Sequence, residues 1–208
     1  MYTGQNKEDK VLSEFFGQYV GTLLSIGENN GQDLSNVLHF LDKGWGGDLV
    51  ECSPQVFPSL SNLHQYNNKV FCHEVAIGNK NGRVVLYDSG ELLGTGDRAL
   101  VSSTDFNETK RWASLNMPFN EVEVDMVTFD TFLTEHAHYK KFDLISVDAE
   151  GMDIIILRQM ELDQLGCKAL VIEHNSIPAN VAIIREYTRP FGFKEIGYNQ
   201  ENIILSHE

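Results

Sequence analysis

Two short segments, LLSIGENNG at 23–31 and LVECSP at 49–54, constrain the fold more than any other part of the chain. An apolar run ends in a turn with glycines at 27 and 31, a helical pattern follows, and a second apolar run ends on Glu51. The order strand, glycine turn, helix, strand, acid is that of parallel sheets that open a crevice at the carboxyl ends of their strands. Lacking a Cβ, Gly27 and Gly31 let the turn bend tightly and let a ligand approach the main chain. A helix starting near Gly31 would aim free N–H groups into that crevice. Glu51 would accept hydrogen bonds from a ribose diol, each charge-assisted bond contributing about 1.5–3 kcal/mol. The spacing is G-x-x-x-G, not the G-x-G-x-x-G of dinucleotide sites. The bland alternative for the pair is two ordinary loop glycines.

Strand and helix patterns alternate almost throughout, which predicts an α/β fold with a mostly parallel sheet. Residues 8–20 read as an amphipathic helix carrying Val11, Leu12, Phe15, Phe16 and Tyr19 at helical spacing. Residues 22–27 form the first strand, apolar on both faces as a central parallel strand should be. A helix is expected over 32–43, with Leu34, Val37, Leu38 and Leu41 inward and Asp33 in its first turn. Glycines 44, 46 and 47 end it, and 47–52 is the second strand. Ser53 and Pro54 resemble a helix N-cap and first helical position, with Pro58 breaking that helix early. Strands are expected over 69–78, 83–88, 121–129, 142–148 and 167–175. Helices are expected over 129–139, 152–160 and 178–192, and a hairpin with YNQEN as its turn closes the chain.

At 208 residues the chain is expected to be one domain. Its parts would be a helix at about 8–20, a cofactor-binding half over 21–88, a substrate loop over 89–120 and a C-terminal half over 121–208. Thirty acids against 16 bases leave a net charge of −14, with no basic run. Such a surface repels phosphate backbones, so nucleic acid is not the expected partner. No apolar stretch reaches the length of a membrane span, and the polar start MYTGQNKEDK lacks the apolar core of a secretory signal. Cys52, Cys72 and Cys167 each fall in an apparent strand without C-x-x-C spacing. They read as buried thiols of a reducing, cytoplasmic compartment, not as a metal site or disulfide framework.

Reactive side chains concentrate at two strand ends, SVDAEGMD with Asp148, Glu150 and Asp153, and IEHN with Glu173, His174 and Asn175. Parallel strands would deliver both to the crevice beside Gly27 and Glu51. Asp148 is the leading candidate for a catalytic role. Glu150 and Asp153 equally suit a helix N-terminus. His174 is either a general base for a hydroxyl or a strand-end histidine satisfied by a neighbour. Asp148, Glu173 and Asn175, with His174 beside them, would also suit Mg2+, although no ligand spacing marks the set. His136 and His138 stand i, i+2 on an expected helix and point apart, which argues against a shared metal. Neither a G-x-S-x-G elbow nor a P-loop is present.

These pieces, in order, carry a resemblance. LLSIGENNG, LVECSP, EVAIGNKNG, the Ser102-Ser103 pair, VTFDTFL, FDLISVDAEGMDIIIL and LVIEHN succeed one another as in FkbM-type S-adenosylmethionine-dependent methyltransferases. The resemblance spans about residues 20–175, and its most specific piece is Asp-x-Glu-Gly after an apolar strand. It implies a three-layer class I methyltransferase fold, with a seven-stranded sheet whose last two strands form an antiparallel hairpin. It implies S-adenosylmethionine as cofactor. Glu51 would hold its ribose, with Gly27, Asn29 and Gly31 along the methionine side, Val75 and Ala76 near the adenine, and Glu28 and Cys52 also among the cofactor-binding residues. Asp148 would face the methyl group, and Ser102, Ser103, Glu150 and Asn175 the substrate. Two positions depart from the family pattern: Ser25 stands where an Asp is usual, and Ser146 where a Lys is common. The expected activity is O-methylation of a sugar or small-molecule hydroxyl. An inactive cofactor-binding or scaffold relative and a nicotinamide-dependent oxidoreductase are the competing readings.

Overall fold

The structure is a computed structural model and describes residues 2–91 and 98–207. The chain runs α1 (Glu8–Phe16), β1 (Thr22–Ile26), α2 (Leu38–Asp42), β2 (Gly46–Val50), α3 (Phe57–His64) and β3 (Val70–His73). It continues through β4 (Ala76–Gly78), β5 (Gly82–Ser89), α4 (Phe106–Thr109), β6 (Phe119–Thr128) and α5 (Phe129–Thr131). The remainder holds β7 (Leu144–Val147), α6 (Asp153–Leu157), α7 (Leu162–Leu165), β8 (Ala169–Glu173), α8 (Pro178–Thr188), β9 (Phe193–Tyr198) and β10 (Asn202–His207).

Seven strands pair in the order β3-β2-β1-β7-β8-β10-β9. Only β10 runs against the others, antiparallel to both β8 and β9, so the expected hairpin closes the sheet. The period-2 alternation of strand side chains divides the interior. Leu24, Ile26, Ile145, Val147, Leu170 and Ile172 face one core with α6 and α8. Leu23, Leu49, Leu144, Ala169 and Val171 face the other with α1, α2 and α3, around Phe16, Phe40 and the fully buried Trp45. The central strands are therefore apolar on both faces because helices cover both. The chain leaves β1 outward through β2 and β3, then returns to β7 on the other side of β1. That reversal opens a crevice at the carboxyl ends of β1 and β7.

Several expected elements are shorter or divided. The helix expected over 32–43 forms only at Leu38–Asp42. Asn29 and Leu34 adopt left-handed φ values of 52° and 60°, and the Ser35 hydroxyl accepts the N–H groups of Val37 and Leu38. Ser35 thus starts the helix six residues late, and Leu34 is partly exposed instead of inward. The strand expected over 69–78 splits into β3 and β4, and β4 joins β6 and β5 in a separate three-stranded sheet. Pro58 sits near the start of α3 instead of breaking it, consistent with a residue lacking an N–H where no intrahelical acceptor exists. The N-terminal helix stops at Phe16, before Gly17 at φ 57°. The helix expected over 129–139 becomes α5 followed by a wider π turn at Phe132–His136. His138 lies beyond it, stacked on Phe71 at 3.7 Å. The helix expected over 152–160 shrinks to α6, and α7 follows unexpected. Cys52 and Cys167 lie just outside β2 and β8, only Cys72 lies within a strand, and all three thiols are free. No helix among the described residues is long and apolar enough to cross a membrane.

Candidate active site

The turn after β1 is shaped by Gly27, whose φ is 80°. A Cβ there would collide with the Asp148 carbonyl oxygen, so the ends of β1 and β7 approach this closely only with glycine at 27. Gly27 donates its N–H to the Val50 carbonyl at 2.9 Å, binding the turn to β2. Gly31, with φ 79°, packs instead against the α3 side: a Cβ would lie 2.7 Å from Leu60 Cδ1. It does not border the cavity. The expectation that it lines the ligand site is corrected, because the chain has already turned away by residue 31.

The cavity lies at the carboxyl ends of β1, β2, β7 and β8 and is bordered by Gly27, Glu28, Asn29, Glu51, Cys52, Val75, Ala76, Ser102, Asp148, Glu150, Glu173 and Asn175. Glu51 follows β2 directly. Its Oε2 accepts the Asn29 N–H at 2.9 Å and its Oε1 the Ser53 N–H at 2.6 Å. The carboxylate is therefore fixed against the cavity, with lone pairs left over for a diol. Burial pushes Glu51 up to about 7 despite those two donors. Val75, Ala76, Ile77, Leu86 and Val101 supply an apolar wall beside it.

Glu28 answers the first departure from the family pattern. The Ser25 hydroxyl donates to its Oε2 at 2.5 Å and the Ser35 hydroxyl to its Oε1 at 2.6 Å. A carboxylate is thus delivered beside β1 from three residues further along. Burial raises Glu28 to about 7, with Glu51 adding to the rise. Ser146 has no such substitute: its hydroxyl lies 3.5 Å from Asn36 Nδ2.

At the end of β7, Asp148 borders the cavity, and burial together with Asp153, Glu201, Glu8 and Glu28 pushes it up to about 8. Asp153 is the organiser of this turn. Its two oxygens accept the N–H groups of Ala149 at 2.8 Å and Gly151 at 3.1 Å, the helix-start role weighed for it above. Glu150 sits at a left-handed φ of 42°, aims into the cavity and leaves its buried Oε2 without a hydrogen bond. Burial and Asp148 raise it well above the usual carboxylate range. Glu173 is raised likewise by burial and Asp148 and accepts Asn175 Nδ2 at 2.7 Å. Asp148, Glu150 and Glu173 each offer an oxygen within 4.8 Å of the others.

His174 is corrected. It is fully buried, does not border the cavity, stacks on Tyr198 at 4.9 Å and accepts the Ser176 N–H on Nδ1 at 3.1 Å. Glu173 and Asn175 on either side of it border the cavity, whereas His174 packs against Tyr198. Ser103 is also corrected as a substrate contact: it is buried off the cavity, its hydroxyl held by the Glu150 carbonyl at 2.6 Å. Ser102 does border the cavity, yet its hydroxyl donates to Asp88 at 2.8 Å. The pair latches the loop to β5 and to the β7 end. Of the loop over 89–120, residues 92–97 lie outside the described residues.

Sequence reasoning missed Arg111 and Trp112, which border the same cavity. They stand on a 3-10 turn, Lys110–Leu115, that continues α4. Arg111 Nη1 donates to Glu108 Oε2 at 2.5 Å and Asn175 Oδ1 at 2.7 Å, and lies 3.9 Å from Glu150 Oε2. Trp112 stacks beside the guanidinium at 5.7 Å, and its Nε1–H is buried without an acceptor. The available signal was Asp105, whose carboxylate caps α4 by accepting the Asn107 N–H at 2.8 Å.

The sequence profile of the methyltransferase FkbM domain matches residues 25–196. The chain belongs to the FkbM methyltransferase family. The matched region runs from the end of β1 through β8, and the catalysis the family serves is methyl transfer. No curated protein sequence gives a significant match. Among solved structures, the ribosomal protein L11 methylase of Lactobacillus delbrueckii subsp. bulgaricus is similar with a TM-score of 0.50 and 9% identity, covering 98% of this chain and 78% of that one. A methyltransferase from Pyrococcus furiosus gives 0.47 at 12% identity, over 95% and 79% of the two chains. The N-terminal domain of human METTL16 in complex with SAH gives 0.44 at 12% identity, over 95% and 65%. The likeness to the L11 methylase, at 9% identity, concerns the fold alone and not the acceptor.

Proposed function

We infer that this FkbM domain binds S-adenosylmethionine across the ends of β1 and β2 and methylates a hydroxyl of a sugar or other polyol. The observation that carries the reading is Asp148, a carboxylate at the end of β7 whose affinity for a proton is raised to about 8 and which faces the cavity. The residues present fit the cofactor. Glu51 offers a fixed carboxylate for a ribose diol, Val75 to Ile77 and Val101 an apolar bed for a base, and Gly27 a close main-chain approach. When bound, S-adenosylmethionine supplies an electrophilic methyl group whose carbon–sulfur bond breaks as the acceptor oxygen bonds to carbon.

The chain's own task is to align the hydroxyl, exclude water and take the proton released as the oxygen–carbon bond forms. A base with affinity near neutrality is matched to that work, and Asp148 accepts the proton. Two buried groups without a hydrogen bond describe the acceptor. Trp112 Nε1–H needs an acceptor and Glu150 Oε2 has no hydrogen bond. A neutral hydroxyl can donate to one and accept from the other, whereas an ammonium cannot accept from Trp112 and a phosphate meets the surrounding carboxylates. The acid-rich rim likewise disfavours nucleic acid. Mg2+ at Asp148, Glu150 and Glu173 is not needed by this scheme.

The test is turnover with a panel of glycosides and polyols alongside calorimetry with S-adenosylmethionine. Asp148→Asn should lower kcat at least ~100-fold, as expected for loss of a general base, while cofactor affinity stays within about threefold. The wild-type rate should rise with pH until Asp148 is ionised. Cofactor binding without turnover on any acceptor would favour the inactive relative instead, and equal turnover in Asp148→Asn would remove the base.

A further inference from the structure

A groove outside the cavity adjoins it at the rim, where Thr104 and Met152 border both. The groove follows β5 and is also bordered by Phe106, the first residue of α4, by Ile155 of α6, and by Asn79 and Lys80 in the turn after β4. Phe106 and Tyr87 give it an aromatic side, their ring centroids 5.2 Å apart. Lys110 Nζ lies over the Phe106 ring at 5.2 Å, so the ring is held in place, yet the residue is 54% exposed. Single exposed apolar residues are ordinary, but here Phe106 shares one groove with Tyr87, Val85 and Ile155.

Polar groups stand ready beside that aromatic side. Asn79 and Lys80 are exposed, and among the described residues neither side chain has a hydrogen bond or an ion pair. The edge of β5 adds main-chain groups. Tyr87 exchanges main-chain hydrogen bonds with Ser103 at 2.9 and 3.3 Å, so its peptide groups point away from β6. Alternation along an antiparallel strand turns those of Arg83 and Val85 the same way. Both residues border the groove, and their outward peptide groups have no main-chain partner among the described residues.

The charges around the groove balance, Lys80 and Arg83 against Asp105 and Glu123. It therefore suits a neutral occupant rich in hydroxyls. A sugar ring offers an apolar C–H face to an aromatic side chain, and hydroxyls at its edge to amide, ammonium and peptide groups. An added peptide strand suits β5 less. Between the Ser103 bridge and Gly82, where the strand begins, only Arg83 and Val85 are open to it, a run shorter than ordinary strands.

We propose that this groove holds the sugar units next to the one being methylated, so that the acceptor is a chain of two or more sugars and not a free monosaccharide. The proposal rests on the reading of the cavity as the site of a sugar hydroxyl. The reacting unit enters past Thr104 and Met152, while the next ring packs on Phe106 and Tyr87 with its hydroxyls toward Asn79 and Lys80.

The experiment is steady-state turnover of the full chain with S-adenosylmethionine on methyl glycosides of glucose, galactose, mannose and rhamnose, and on di- and trisaccharides of each. From the best monosaccharide glycoside to its trisaccharide, kcat/KM should rise at least ~10-fold, chiefly through KM, the size of one or two net hydrogen bonds. Phe106→Ala should remove most of that gain, and Lys80→Ala, distant in sequence from α4, about threefold of it. Both variants should leave monosaccharide turnover and S-adenosylmethionine affinity unchanged. Equal kcat/KM on mono- and trisaccharide, a gain untouched by either variant, or a loss that falls on both acceptors alike would overturn the groove's role and leave the reading of the cavity intact. A serine- or threonine-bearing peptide methylated faster than any trisaccharide, and slowed by Phe106→Ala, would give the groove to a peptide instead. Turnover on no glycan of any length would remove the reading of the cavity, and the groove's occupant with it.

Discussion

Glu51 illustrates how one residue serves the fold and the site with the same atoms. Its two oxygens accept the Asn29 and Ser53 N–H groups, so the carboxylate ties the turn after β1 to the turn after β2 and cannot rotate away. Glu51→Gln keeps the size and loses the charge, and only one amide atom can accept. S-adenosylmethionine affinity should drop about 10- to 100-fold, the loss of one or two charge-assisted bonds, measured by calorimetry; affinity within twofold of wild type would place the ribose elsewhere. Glu28 works through a different route: the Ser25 and Ser35 hydroxyls hold its carboxylate beside β1. At this scale the sequence was readable for where Gly27, Glu51 and Asp148 stand, since each follows a strand end and borders the cavity. It misled for His174 and Ser103, because residue type does not tell which face of the chain a side chain takes, and both turn away from the cavity.

Among the elements, α4 and the 3-10 turn after it bring Arg111 and Trp112 to the cavity rim. Arg111 Nη1 is committed to Glu108 and Asn175, whereas the buried Trp112 Nε1–H has no acceptor. Trp112→Phe retains an aromatic wall and removes that donor. KM for a hydroxyl acceptor should rise about 10-fold with kcat and cofactor affinity nearly unchanged, the size of one net hydrogen bond; steady-state kinetics on the best glycoside reads it. The segment escaped sequence reading because four residues of α4 carry no helical period long enough to see. The expected helix over 32–43 failed for the opposite reason: its apolar spacing is helical, but Asn29 and Leu34 hold left-handed conformations that delay α2 until Ser35 caps it. A backbone conformation of that kind leaves no trace in hydrophobic periodicity.

The whole molecule stores an excess of buried carboxyl groups around one cavity, and its stability should carry their signature. Glu28 and Glu51 titrate at about 7 in the fold against 4.5 when exposed. Between those values the folded chain holds more protons than the unfolded one, so stability is greatest near the lower end and falls as pH rises through about 7. The combined loss is on the order of a few kcal/mol. Asp143 runs the other way: burial raises it, but Lys168, the Thr22 N–H and Tyr19 outweigh that and hold it low, so its contribution disappears as pH falls through its depressed value. Without ligand, the protein should melt several degrees higher at pH 5.5 than at pH 8, and Glu28→Gln should flatten part of that difference in calorimetric scans. A flat profile would mean that these carboxyl groups are solvated.

The amino-acid sequence by itself determined most strands of the main sheet, their mostly parallel course and the closing hairpin, but not the separate sheet of β4, β6 and β5. Apolar runs long enough for two covered faces, glycine at a crowded turn and acids at strand ends are local facts, written where they act. Tertiary structure alone decided which acids meet. Glu28 meets the Ser25 hydroxyl, Arg111 arrives from a loop, and Glu8 and Asp9 come to rest under Gly4 beside Asn36. Those meetings depend on side-chain direction and on contacts between distant parts of the chain, and the energy of a buried charge depends on what surrounds it in space, not along the sequence.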